Sequence, residues 1–144
     1  MLRPNQSAGE RRLVEANPLV EEAKNQIAVV RGPIVYCLEG QDIEDGHRIN
    51  DIAIPADIQF TEKTWSPLLT SCSLPLAPCP SPLSDMVVLE GEALLVNNDS
   101  WSNDQLYRDL RPVEKKKVKI RLIPYYAWDN RGIDDMSLWL PLAR

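Results

Sequence analysis

Carboxylates gather in two stretches of this chain. One holds Asp42, Glu44, Asp45 and Asp51; the other holds Asp129, Asp134 and Asp135. Two acids facing each other across a cleft would suffice to cleave a glycosidic bond by acid–base chemistry. One oxygen-rich loop could instead hold calcium. Both stretches read as loops, so solvated loop charge explains them without any chemistry. Asp129-Asn130-Arg131-Gly132 departs from a calcium loop because Arg131 and Gly132 come too early. Neither stretch yields a catalytic residue or a metal ligand.

Thiol chemistry is no better supported. Cys37, Cys72 and Cys79 are odd in number, so at least one is not in an internal disulfide. A Cys72–Cys79 disulfide remains open. The spacing fits no zinc site, and the one histidine, His47, cannot complete one. Cys37 lies in an apolar run and reads as a small buried hydrophobe.

Aromatic residues offer a different chemistry. Trp65, Trp101, Trp128 and Trp139 are interspersed with Tyr107, Tyr125 and Tyr126. Exposed rings can lie flat against the apolar faces of sugars; buried ones fill a core with their polar tips hydrogen-bonded. Trp128 and Tyr126 flank the Asp129–Gly132 turn, and Trp101 falls on a loop. These three are the candidate carbohydrate-binding residues.

The chain has 144 residues and a net charge of −5, which suits one domain. That charge disfavours nucleic acid and anionic membranes as partners. No apolar run approaches the ~20 residues that span a bilayer, and Met1–Arg12 lacks the apolar stretch of a signal peptide.

Twelve prolines and six glycines point to strands joined by irregular loops. Residues 1–12 read as a flexible segment or the tail of a preceding domain, and residues 13–144 as one β-domain. Arg11–Ala16 reads as a short strand. Asn17-Pro18 reads as a helix cap with proline at the first position, followed by a short helix or turn ending before Gly32. Ile34–Leu38 is apolar on both faces, as in a central strand. Ile52–Ile54 and Ile58–Thr61 read as short strands. Residues 66–82 hold five prolines and read as a loop or an extended edge. Met86–Val96 is a strand with Gly91 marking a bulge. In residues 118–123, Val118, Ile120 and Leu122 alternate with Lys119 and Arg121, so one face is buried and the other basic. That basic face would pair with Glu90 and Glu92 if the two strands are neighbours. Met136–Leu140 is the last strand, ended by Pro141. The expected fold is all-β: an antiparallel β-sandwich, jelly-roll-like, with long loops and at most one short helix.

Two motifs set far apart carry a resemblance. They are Arg31-Gly32-Pro33-Ile34-Val35-Tyr36-Cys37-Leu38-Glu39-Gly40 and Ile123-Pro124-Tyr125-Tyr126-Ala127-Trp128-Asp129-Asn130-Arg131-Gly132, the latter followed by Met136-Ser137-Leu138-Trp139-Leu140-Pro141. Together they resemble the C-terminal region of glycoside hydrolase family 127, the β-L-arabinofuranosidase-type enzymes. The resemblance implies a large helical (α/α)-barrel upstream that carries the catalysis, with a nucleophilic cysteine, zinc and an acid/base glutamate. None of those residues maps onto this chain. Its implied role is therefore a non-catalytic accessory domain, with no cofactor of its own, packing on the barrel and supporting a homodimer. The alternatives are a carbohydrate-binding module acting on arabinose-containing plant glycans, or one chain of a split glycosidase. A bacterial cytoplasmic location is expected.

Overall fold

A computed structural model describes residues 10–65, 86–96, 101–112, 115–128 and 134–143. Nine strands run through them: β1 (Arg11–Glu15), β2 (Gln26–Arg31), β3 (Ile34–Glu39), β4 (Ile52–Pro55), β5 (Thr61–Trp65), β6 (Met86–Val96), β7 (Lys115–Pro124), β8 (Met136–Ser137) and β9 (Leu140–Ala143). Among the described residues the only helices are single 3₁₀ turns of three residues. The all-β expectation therefore holds. The proline-rich expectation at 66–82 and the Asp129–Gly132 turn lie outside the described residues.

The strands form one sheet that returns on itself through β2, β9, β4, β6, β7 and β3. Closure depends on a fork at β2. Val29 pairs with Leu13 on one edge and with Tyr36 on the other, while Ile27 pairs with Glu15 and with Leu140. β1 thus occupies one edge of β2, and β3 and β9 divide the opposite edge. The expected layers are joined into a ring around one interior. The ladders are antiparallel except β4–β9, which is parallel.

β2 and β3 are a hairpin with Gly32-Pro33 as its two-residue loop and Arg31 opposite Ile34. Gly32 has φ of 57°. Proline fixes its own φ near −65°, so the pair suits a type II′ turn, whose first central position belongs to glycine. This hairpin overturns the helix or turn expected up to Gly32. The 3₁₀ turn covers only Glu21–Ala23, because Ile27, Val29 and Val30 are β-branched and find ladders on both sides. Asn17 closes a turn instead of capping a helix: the Leu19 N–H donates to its Oδ1 (3.0 Å) and the Val20 N–H to its carbonyl (2.8 Å).

Three further expectations shift. Ile58–Phe60 is not strand, since the Ile58 N–H is spent on the Pro55 carbonyl (3.0 Å) in a turn. The last strand is two: β8, then β9, which runs through Pro141 as its ladder passes from β2 to β4. Gly91 marks no bulge. The β6–β7 ladder is continuous from Leu89↔Leu122 to Val96↔Lys115, with Gly91 opposite Ile120.

The interior holds Ile27, Val29, Tyr36, Leu38, Ile52, Ile54, Leu89, Ala93, Val118, Ile120, Leu122 and Leu140. Alternation sends Met86, Val88, Cys37 and Ile123 to the other face of the same strands, where Ala127 covers them in a second, smaller cluster. That cover is why β3 is apolar on both sides. Gly91 belongs to the interior face. A Cβ there would lie 2.9 Å from the Phe60 ring and 3.2 Å from the Gln59 carbonyl. Overpacking costs typically 1–3 kcal/mol, and relief of glycine's entropy returns about 0.5–1. Gly91→Ala is expected to lower stability by about 1 kcal/mol, read as a lower urea midpoint at unchanged slope.

Candidate functional site

The two candidate aromatics from the second motif come together. β7 ends at Pro124 and runs into the 3₁₀ turn Tyr125–Ala127, closed by the Trp128 N–H donating to the Tyr125 carbonyl (3.1 Å). Ala127 points into the smaller core, which leaves Tyr125, Tyr126 and Trp128 exposed. Trp128 stacks on Tyr125, with centroids 6.0 Å apart and planes at 26°, within the range of favourable offset ring pairs. Tyr126 lies close enough to Tyr36 to oppose its ionisation. The Tyr36 hydroxyl donates to the Val87 carbonyl (2.8 Å), and burial is the main cause of its raised pKa. Trp101 is also exposed, but its ring carries the Arg108 guanidinium 4.2 Å from the centroid, a cation–π contact.

The two acidic stretches meet through the backbone. The Asp134 carboxylate accepts from the Gln41 N–H (2.6 Å) and the Asp135 N–H (2.8 Å), while the Gly40 N–H donates to the Asp135 carbonyl (2.9 Å). A Cβ at position 40 would stand 2.7 Å from Asp134 Oδ1, so any other residue there would push the Asp134 carboxylate aside. Glu39 is buried and accepts from Gln41 Nε2 (2.6 Å). These acids pin the loop after β3 to the segment before β8. Cys37 is buried in the smaller apolar cluster. Among the described residues no group of three His, Cys, Asp or Glu could hold a metal.

A polar groove of about 610 Å³ opens on the outer face of β5, β6 and β7. The expected cross-strand pairing supplies its floor: Glu90 lies opposite Arg121 and Glu92 opposite Lys119. Arg121 reaches Glu90 at 3.4 Å and Lys117 reaches Glu92 at 3.8 Å. Sequence reasoning missed Lys63 of β5, whose ammonium sits 2.6 Å from Glu90. It also missed Gln41 and Glu44, which form a wall because Glu44 accepts the Lys119 backbone N–H (3.1 Å). The loop acids carried no signal for this, because the contact depends on the Ile43↔Ile120 bridge.

The Lys63 hydrogen bond, aided by the charges of Lys63 and Arg121, holds the Glu90 pKa below the ordinary value against a smaller opposing effect of burial. A carboxylate with a lowered folded pKa stabilises the fold above its unfolded pKa. That contribution is lost as pH falls through the folded value. Cross-strand charge pairs are worth roughly 0.2–1 kcal/mol, and exposure of Lys63 puts this one at the low end. Glu90→Gln is expected to cost a few tenths of a kcal/mol at neutral pH. The difference from the parent should shrink as pH falls through the lowered folded pKa of Glu90 and vanish once the carboxyl is protonated in both states, in thermal melts across pH.

Residues 11–141 match the family model of the glycoside hydrolase family 127 C-terminal domain. The chain belongs to that family. It is 29% identical over 132 residues to a non-reducing end β-L-arabinofuranosidase of Bifidobacterium longum subsp. longum, covering 89% of this chain and 18% of that protein. A solved glycoside hydrolase superposes with a TM-score of 0.76 at 46% identity, over 94% of this chain and 20% of its own. A GH127 β-L-arabinofuranosidase from Geobacillus stearothermophilus T6 does so at 0.72 and 33%, over 93% of this chain and 18% of its own. The chain therefore spans about a fifth or less of these much longer relatives.

Proposed function

We propose that this chain is a non-catalytic accessory domain of a β-L-arabinofuranosidase-type hydrolase and docks on the catalytic portion of that enzyme. The match itself carries the reading. It takes in almost the whole of this chain but only 18–20% of each relative, so most of each relative lies outside the shared domain. Exposed apolar side chains support the docking reading. Residues 101–112, between β6 and β7, hold Leu106, Tyr107 and Leu110 at 79%, 85% and 100% exposure. Large apolar side chains this open are costly to leave in water and commonly mark a contact surface. The test is assembly: a relative's chain lacking the matching region is mixed with this one, and complex formation and hydrolysis of a chromogenic β-L-arabinofuranoside are followed. Hydrolysis by this chain alone would overturn the reading. Self-association without capture would point to a homodimer instead.

A second reading, direct contact with arabinose-containing glycans, is favoured by the exposed Tyr125–Trp128 stack with Tyr126 beside it. Rings held by each other present a rigid apolar surface at little entropic cost.

A further inference from the structure

We propose that the slot between β1 and residues 58–60 binds a single small oxyanion, a carboxylate or phosphate group. The slot holds about 210 Å³, with Arg11, Arg12 and Leu13 on one side and Ile58, Gln59 and Phe60 on the other. That is below the usual 300–1,000 Å³ of small-molecule sites and suits one charged group. Neither the aromatic turn nor the 101–112 segment lines it, so it stands or falls apart from the docking reading.

Unbalanced positive charge selects the ligand class. Among the described residues two arginines line the slot and no acidic residue does; Glu10 and Asp57 are near in the chain but outside the lining. A third arginine, Arg31, stands directly opposite Arg11 on β2, and like charges so placed repel. One carboxylate serves that pair. Glu62 accepts from Arg31 Nε at 3.1 Å, and this hydrogen bond raises the Arg31 pKa above its ordinary value. Arg11 Nε lies 3.8 Å from the same oxygen, beyond hydrogen-bond distance. Arg12 forms no ion pair among the described residues. An oxyanion would supply the missing charge and displace no partner, whereas a cation would add to the excess.

Donors are already in place. Arg11 spends one N–H on the Phe60 carbonyl, out of the five that a guanidinium carries. Gln59 gives one amide hydrogen to the Asp57 carbonyl (3.2 Å) and keeps the second. β1 is an edge strand. The Gly32 N–H donates to the Glu10 carbonyl (3.1 Å), so residue 10 faces β2 and alternation turns the N–H groups of Arg11 and Leu13 outward. Planar guanidinium groups match carboxylate and phosphate oxygens two at a time.

The test titrates the whole chain with inorganic phosphate and with N-acetylglutamate α-amide, a lone side-chain carboxylate. Sodium chloride keeps the ionic strength constant, and arginine Nε–H and backbone amide signals are followed by NMR. Saturable shifts are expected at the Arg11 and Arg12 side chains and at the Arg11 and Leu13 amides. Tighter binding of phosphate would mark a free ion as the source, and tighter binding of the glutamate amide an acidic side chain of a partner; either upholds the site. Arg12→Gln removes no ion pair from the described fold, so its thermal melt in chloride should match the parent's while binding weakens roughly tenfold. Lys116→Gln, which removes the same charge from β7, should leave binding unchanged. Shifts no larger than those in chloride alone would overturn the proposal. Equal weakening by Arg12→Gln and Lys116→Gln would also overturn it, since that is the behaviour of diffuse surface charge.

Discussion

Leu122→Ala is expected to cost about 2–5 kcal/mol, the range for deleting a fully buried leucine. Leu122 is completely buried on the inner face of β7, opposite Leu89. β7 is also the strand that β3 and β6 both need to close the ring. A cavity there removes contacts from two ladders at once, and relaxation is limited because the strands are held by backbone hydrogen bonds. Domains of this kind have about 5–15 kcal/mol in total, so the loss is a large fraction of it. Urea unfolding should show a much lower midpoint at an unchanged slope. Leu122→Met, which nearly conserves volume, should cost less than about 1.5 kcal/mol. A loss below about 1 kcal/mol for Leu122→Ala would mean that the closed interior is not packed at this point.

Paired substitution of Leu106 and Leu110 by Glu is expected to weaken capture by the catalytic portion at least about 100-fold, with the fold intact. Burying a leucine is worth about 1.5–3 kcal/mol, two of them exceed 2.8 kcal/mol, and each 1.4 kcal/mol is tenfold in affinity. Both side chains face water in this chain, so the substitutions remove nothing from its core. Its melting temperature should hardly move. Titration calorimetry against the truncated relative separates the outcomes: unchanged affinity would place the docking face elsewhere, and a fall in melting temperature would show that the segment serves this domain's own packing.

How much of this was legible from residues alone varied with the range of the interaction. Alternation in 118–123 announced a half-buried strand with a basic face, and the pairing of that face with Glu90 and Glu92 followed from charge complementarity. The double-sided apolar character of β3 was equally plain. Gly91 misled, because a glycine in a strand signals close approach as well as a bulge, and only the position of Phe60 separates the two. The region before Gly32 misled because Glu21, Glu22 and Ala23 favour helix locally, and the competing ladders with β1 and β3 are tertiary.

The candidate site divides the same way. Tyr126 and Trp128 were identifiable as a neighbouring pair from the motif, but Trp128 stacks on Tyr125 and not on Tyr126. Side-chain direction in a tight turn depends on which residue, here Ala127, is drawn into the core. The groove was half visible, in its floor of paired charges. Its walls come from Lys63 and from Gln41 and Glu44, separated in the chain from β7 by more than fifty residues. Composition and patterning determined by themselves that the chain is all-β, because strand periodicity and turn chemistry are local properties, and the two motifs carried the resemblance to family 127 that the family match shows. The fork at β2, the closure of the sheet and the convergence of distant charges into a groove were decided only by tertiary structure. Which edge accepts which strand depends on long-range burial, and no local pattern encodes that choice.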